Sequence, residues 1–208
     1  MRRIHKLVNE RYAKAAAGFM RYVCYVVMAF FVVCLVLSIM GRQTFRLQTS
    51  TGFYERAICA EEDHDYSLRG FTVSSDDEIY VRADADDRVD LATRIGISLM
   101  YAFKLIPLFL GYLYLSRVFR NINRGEIFTG ENSSCLLYYG LVQIFVALFV
   151  PFISMLICSV SNLFSGSLLS VSTGSNVLNG LFPGIAFVVA AYIIHYGIYL
   201  QDEVDHTL

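Results

Sequence analysis

The sequence predicts an all-α membrane fold of four transmembrane helices, with a small β-containing extracytoplasmic insertion between helices 1 and 2. Three observations predict it. Of the 208 residues, 56% are hydrophobic and 17% charged, against about 45–50% and 25% in soluble domains. From Asn132 to Gln201 there is no Asp, Glu, Lys or Arg. Four apolar stretches also reach the roughly 20 residues that a helix needs to cross a hydrocarbon core about 30 Å thick.

Residues 1–21 form a basic tail with six cations: Arg2, Arg3, Lys6, Arg11, Lys14 and Arg21. Ile4, Leu7, Val8, Tyr12 and Ala15 recur on one helical side. That suits an interfacial helix on an anionic leaflet, and equally a plain topogenic tail. Residues 22–40 are the first span, read as an uncleaved signal anchor. Its apolar run is long, and Ser38-Ile39-Met40-Gly41 is a poor cleavage site.

Residues 41–93 are the extracytoplasmic insertion and hold twelve of the eighteen acidic residues. TFRL (44–47) and EIYVR (78–82) alternate in the two-residue rhythm of strands, with Gly52 and Gly70 as turn points. The run DADDRVD (84–90) fails as a calcium loop, because Arg88 takes a ligand position and Val89 the place of the turn glycine. A solvated acidic face is expected there.

The second span covers residues 94–116 and is broken only by Lys104. In the cytoplasmic loop, 117–135, Gly125 stops one helix and Thr129 caps the next, with Glu131 in its first turn. The third span is 136–160. An uncharged, serine-rich outer loop, 161–180, reads as a flexible connector. The fourth span is 181–200 and the cytoplasmic tail 201–208.

Orientation follows from the cations. The short link between spans two and three adds Arg117, Arg120 and Arg124, and the link between spans three and four has none, so both termini are expected in the cytoplasm. Tyr22, Tyr25, Tyr112, Tyr114, Tyr138, Tyr139, Tyr196 and Tyr199 fall at the expected inner ends, where the interface suits a ring with a hydroxyl.

Several classes are excluded. A net charge of −1 and a pI near 6.4 give no basic face for direct nucleic-acid binding. Five scattered cysteines form no Cys-x-x-Cys pair and no zinc spacing. Cys59 and Cys158 remain open as a bridge or as free thiols. The chain has no His-Glu-x-x-His, no Gly-x-Ser-x-Gly and no phosphate loop. No catalytic, cofactor-binding or metal-ligating residue is expected, and no enzyme.

Lys104 is the candidate functional residue, since an ionisable group inside a span is costly and commonly marks function. It shares a stripe with Gly96, Met100, Pro107 and Gly111. Gly140, Gln143, Ala147, Pro151, Ser154 and Cys158 align in the third span, and Gly184, Val188, Ala191 and His195 in the fourth. If these stripes meet, Lys104, Gln143 and His195 share a polar core. The alternative is that they only hold helices together. A second expected set pairs the loop cations Arg117, Arg120 and Arg124 with the tail acids Asp202, Glu203 and Asp205, which would offset carboxylates at a helix C-terminus.

The stretch NRGEIFTGEN (123–132) resembles the "hydrophobe-x-x-G-x-x-F-[ST]-x-E-N" signature of a small bacterial membrane family. The ending YGIYLQDEVDHTL (196–208) resembles its "YG-x-x-LQ-x-E-x-D-x-TL" tail, although His206 stands where an apolar residue is usual. This YoaS-like family is a domain of unknown function. The resemblance covers about residues 117–208 and brings no catalytic residue. It implies a four-span protein of the bacterial inner membrane, linked to a small helix-turn-helix regulator. The function expected is a non-enzymatic sensory, protective or partner-binding accessory of the envelope. Its partners would be the bilayer and an envelope protein or further copies of the chain. The alternative is a small oligomeric transporter or channel using Lys104.

Overall fold

The computed structural model describes residues 10–59, 71–74, 77–172 and 177–207. Gly70, residues 1–9 of the basic tail and residues 173–176 of the outer loop lie outside them. In chain order the elements are α1 (Glu10–Ile39), β1 (Phe45–Gln48), β2 (Phe53–Ala57), β3 (Glu78–Arg82), α2 (Leu91–Arg124), α3 (Gly130–Phe164), β4 (Leu168–Ser172) and α4 (Val177–Thr207). All four helices are long and apolar enough to cross a membrane, by length and composition.

The helices hold 30, 34, 35 and 31 residues, or about 45–52 Å at 1.5 Å per residue. They therefore overrun a 30 Å core. One expectation is corrected by this: among the described residues no separate interfacial helix precedes the first span, because α1 runs unbroken from Glu10. Within the segment 117–135 only residues 125–129 lie outside α2 and α3, with the stop at Gly125 and the cap at Thr129 where the sequence puts them.

Helix ends are set by local chemistry. Gly125, at φ 90°, closes α2: its N–H bonds Ile122 O and that of Glu126 bonds Asn121 O, the paired hydrogen bonds of a Schellman cap. Gly41, at φ 74°, ends α1 in the same way with Ser38 and Leu37. Thr129 caps α3 through its Oγ1, which accepts from Asn132 N at 3.3 Å.

Contacts divide the chain into two units. One holds Phe31–Ile106 and Val146–Asn179 and carries a four-stranded sheet in the order β2-β1-β3-β4. β1 runs parallel to β3, and the other pairs are antiparallel. β4 comes from the segment expected to be a loose connector. From Leu169 on, the strand alternates apolar and polar residues, and Leu169, nearly fully buried, joins Ile79 and Val81 in the core. The expected insertion thus borrows an edge strand from after the third helix. Asn162 braces the strand, exchanging two hydrogen bonds with the Leu169 backbone (2.9 and 2.7 Å).

Phe45, Leu47, Ile79, Val81 and Leu169 pack from the sheet onto Cys34, Ile97, Met100, Tyr101 and Cys158. Cys59 lies in this core, and burial pushes its thiol up to about 12. Cys59 and Cys158 are both free thiols. The acidic run is used as turn and anchor. Asp87, at φ 56°, accepts from Ser50 N (2.7 Å), and Asp90 accepts from Gly166 N (2.6 Å), Ser167 N and Ser165 Oγ.

The N–H of Gly166, foremost, and then the donors of Ser165 and Ser167, hold the Asp90 carboxyl below its ordinary value against the opposing effect of burial. A depressed carboxylate stabilises above its unfolded pKa, near 4, and that stability is lost as pH falls through the lowered value. Asp90→Ala should therefore melt below the wild type at neutral pH. The gap should narrow below about pH 4 in a thermal-melt series.

The other unit holds Met1–Phe30, Pro107–Phe145 and Gly180–Leu208. All eight tyrosines expected at one level belong to it. Tyr139, however, is buried in its core, edge-on to Tyr112 (5.7 Å) and Phe187 (4.7 Å). Gly140 and Gly184 bring α3 and α4 into backbone contact. A Cβ on Gly140 would lie 2.8 Å from Gly184 O, and one on Gly184 would lie 3.0 Å from Gly140 O.

Candidate functional site

Lys104 is held by the segment just before β3. Its Nζ donates to Asp77 Oδ2 at 3.0 Å, with the two side chains 26% and 17% exposed. Asp77 sits just before β3, in the sheet-bearing unit with Lys104. The cation within this apolar helix is thereby paired with a carboxylate from the segment before β3, as the cost of an isolated, partly buried charge demands. Beside the pair is a cavity of about 20 Å³, lined by Met100, Tyr101, Val150, Ser154 and Val171. That is room for about one water.

Gln143 and His195 belong to the other unit. Gln143 Nε2 donates to Tyr139 Oη at 3.0 Å within α3, and His195 is exposed on α4. The three residues of the expected polar core thus have separate surroundings: Asp77 at Lys104, Tyr139 at Gln143 and an exposed helix face at His195. The stripe of α4 stays inward through Gly184, Val188 and Ala191 and breaks at His195. Asp77 was the residue missed, because nothing in an acidic loop marks which carboxylate folds back onto a helix.

The pair can be tested by a double-mutant cycle. Asp77→Ala alone should destabilise by about 1–3 kcal/mol, the half-buried setting lying between exposed and fully buried pairs. Lys104→Met in that background should recover most of the loss in detergent melts.

The loop cations have these contacts among the described residues. Arg120 reaches Glu131 at 3.9 Å and Arg117 stacks over Tyr114 at 5.7 Å, while Arg124 and Glu203 are exposed. The side chains of Asp202 and Asp205 lie outside the described residues. The loop is organised by Asn132, which is fully buried. Its Nδ2 donates to Glu126 O (2.6 Å) and Ile127 O (2.9 Å), and its Oδ1 accepts from Asn121 Nδ2 (3.0 Å). Phe128 packs where a Cβ on Gly197 would stand, 2.9 Å away. The two motifs that carry the family resemblance thus meet.

The remaining candidate is the face of the sheet turned from its core. Arg46 pairs with Glu78 at 3.0 Å and lies 5.1 Å over the Tyr80 ring. The hydrogen bond from Tyr80 Oη to Glu78 (2.5 Å) is the main cause of a raised tyrosine pKa. Next to them is an open concavity of about 380 Å³, lined by Gln48, Phe53, Arg82, Leu168 and Ser170 among others. Arg82 makes no ion pair among the described residues, and Phe53 and Leu168 are more than half exposed. An exposed cation between two apolar side chains suits a ligand with an anionic group on an apolar body. Among the described residues no group of three His, Cys, Asp or Glu could hold a metal.

Compared with family models, with curated proteins and with solved structures, the chain matches none.

Proposed function

We propose that this chain is a non-enzymatic, multi-pass accessory of the bacterial inner membrane, with both termini cytoplasmic. Its sheet, on the extracytoplasmic side, takes a partner or an envelope signal. The observation that carries the reading is the exposed Arg82, without an ion pair among the described residues, between Phe53 and Leu168 on a sheet face that its own core does not use. Aromatic residues and arginine are the side chains that dominate binding interfaces. The two motifs resembling the YoaS-like family support the placement, as does the cation bias towards one side.

A transport path is the weaker alternative. It would run past Lys104, whose cavity has room for about one water and whose charge Asp77 already offsets. Photo-crosslinkers at Phe53 and Leu168 in native membranes test the proposal. A discrete adduct that Arg82→Glu abolishes supports it. Adducts indifferent to Arg82, or none, count against it.

A further inference from the structure

The sheet registers put four side chains in one row across its open face. Phe53 pairs with Gln48, Gln48 with Arg82 and Arg82 with Leu168, and residues paired across strands share a face. At about 4.8 Å between strands, Arg82 stands about 5 Å from the strand of Leu168 and about 10 Å from that of Phe53. All four side chains are exposed and line the same concavity. The neighbouring row is closed on itself, with Arg46 held by Glu78 and Tyr80. By contrast, the Gln48 amide, the Arg82 guanidinium and the Ser170 hydroxyl, all exposed in the concavity, make no hydrogen bond among the described residues.

Charge narrows the occupant. Arg46 and Arg82 are the charged side chains lining the concavity, and Glu78 offsets Arg46. The carboxylates that follow β3 are engaged elsewhere: Asp84 accepts from Ala85 N (2.7 Å), Asp87 from Ser50 N and Asp90 from Gly166 N. One positive charge is left over. That balances a monoanion and falls short of a phosphate monoester, which carries about two charges at neutral pH. A guanidinium fork takes a planar carboxylate through two parallel hydrogen bonds. The row runs across the strands, so the occupant lies over the face and does not extend an edge as an added strand would. We infer that this row binds a small monocarboxylate with an apolar body, its carboxylate on Arg82 and Gln48 and its body against Phe53 and Leu168. The inference rests on the reading that this face takes a partner or signal, and it makes that signal a small molecule.

Equilibrium dialysis of radiolabelled 4-phenylbutyrate against the full chain in nanodiscs, with empty nanodiscs subtracted, tests it. Binding should saturate at one molecule per chain. Arg82→Gln should weaken it by about tenfold or more, the loss of a charged, hydrogen-bonded partner. Arg124→Gln, an exposed arginine of the other unit, should leave it unchanged, and thermal melts confirm that both variants fold. Unlabelled 4-phenylbutanol and phenyl phosphate should compete at least tenfold less well than unlabelled 4-phenylbutyrate. No saturable binding overturns the inference. So does binding that Arg82→Gln leaves intact, that Arg124→Gln weakens equally, or that the alcohol or the phosphate displaces as well as the carboxylate does. An Arg82-dependent crosslink to a protein, with no carboxylate bound, overturns this inference and leaves the docking reading standing; absence of both overturns both.

Discussion

Asn132→Leu is expected to unfold the 125–129 loop and the first turn of α3 while leaving the apolar parts of the helices folded. Asn132 is fully buried, and its amide serves two backbone carbonyls and the Asn121 side chain. A leucine of similar volume removes all three hydrogen bonds and strands Glu126 O, Ile127 O and Asn121 Nδ2. Each buried group left unpaired costs about 1–3 kcal/mol, so the total is on the order of 3 kcal/mol or more. Limited proteolysis checks it: a new cut between Arg124 and Glu131 in the variant, where the wild type resists. Asn132→Asp should fall between the two, since it keeps the acceptor and loses the donors.

Gly140→Leu is the second large effect. A Cβ there meets Gly184 O and Val188 Cγ2, each at 2.8 Å, closer than carbon packs against anything. One of those neighbours is backbone, so α3 and α4 must separate rather than a side chain rotate. Overpacking of this kind costs about 1–3 kcal/mol, occasionally more. Gly140→Ala tests the mechanism, because one methyl already reaches the Gly184 carbonyl. Both variants should lower the melting temperature, the leucine further. A leucine variant as stable as the wild type would show that the crossing tolerates expansion.

Four spans, the cap at Thr129 and the stop at Gly125 were legible because each rests on a local cause: a long uncharged run, a side-chain oxygen, a left-handed turn. The inward stripes through Gly96, Met100, Gly140 and Ala191 were legible for the same reason, since helical period alone puts them on one face. Three features were hidden. Lys104 and Asp77 are 27 positions apart, and six acidic residues from Glu61 to Asp77 compete on paper for one lysine. Tyr139 looks like an interfacial tyrosine until the ring of Phe187 closes over it. LLSVS reads as connector, because five residues with two serines carry little signal until β3 supplies a partner.

The arrangement of β4 sets the order in which this chain can mature. Arg82 pairs with Leu168, 86 positions later, with two long helices to be made in between. At about 5–20 residues per second, β3 waits several seconds or more for its neighbour, its edge unsatisfied all the while. An unsatisfied edge is a template for adhesion, so the nascent chain needs shielding during that interval. A ribosome that stalls before Ser172 releases a sticky fragment, whatever has already entered the bilayer.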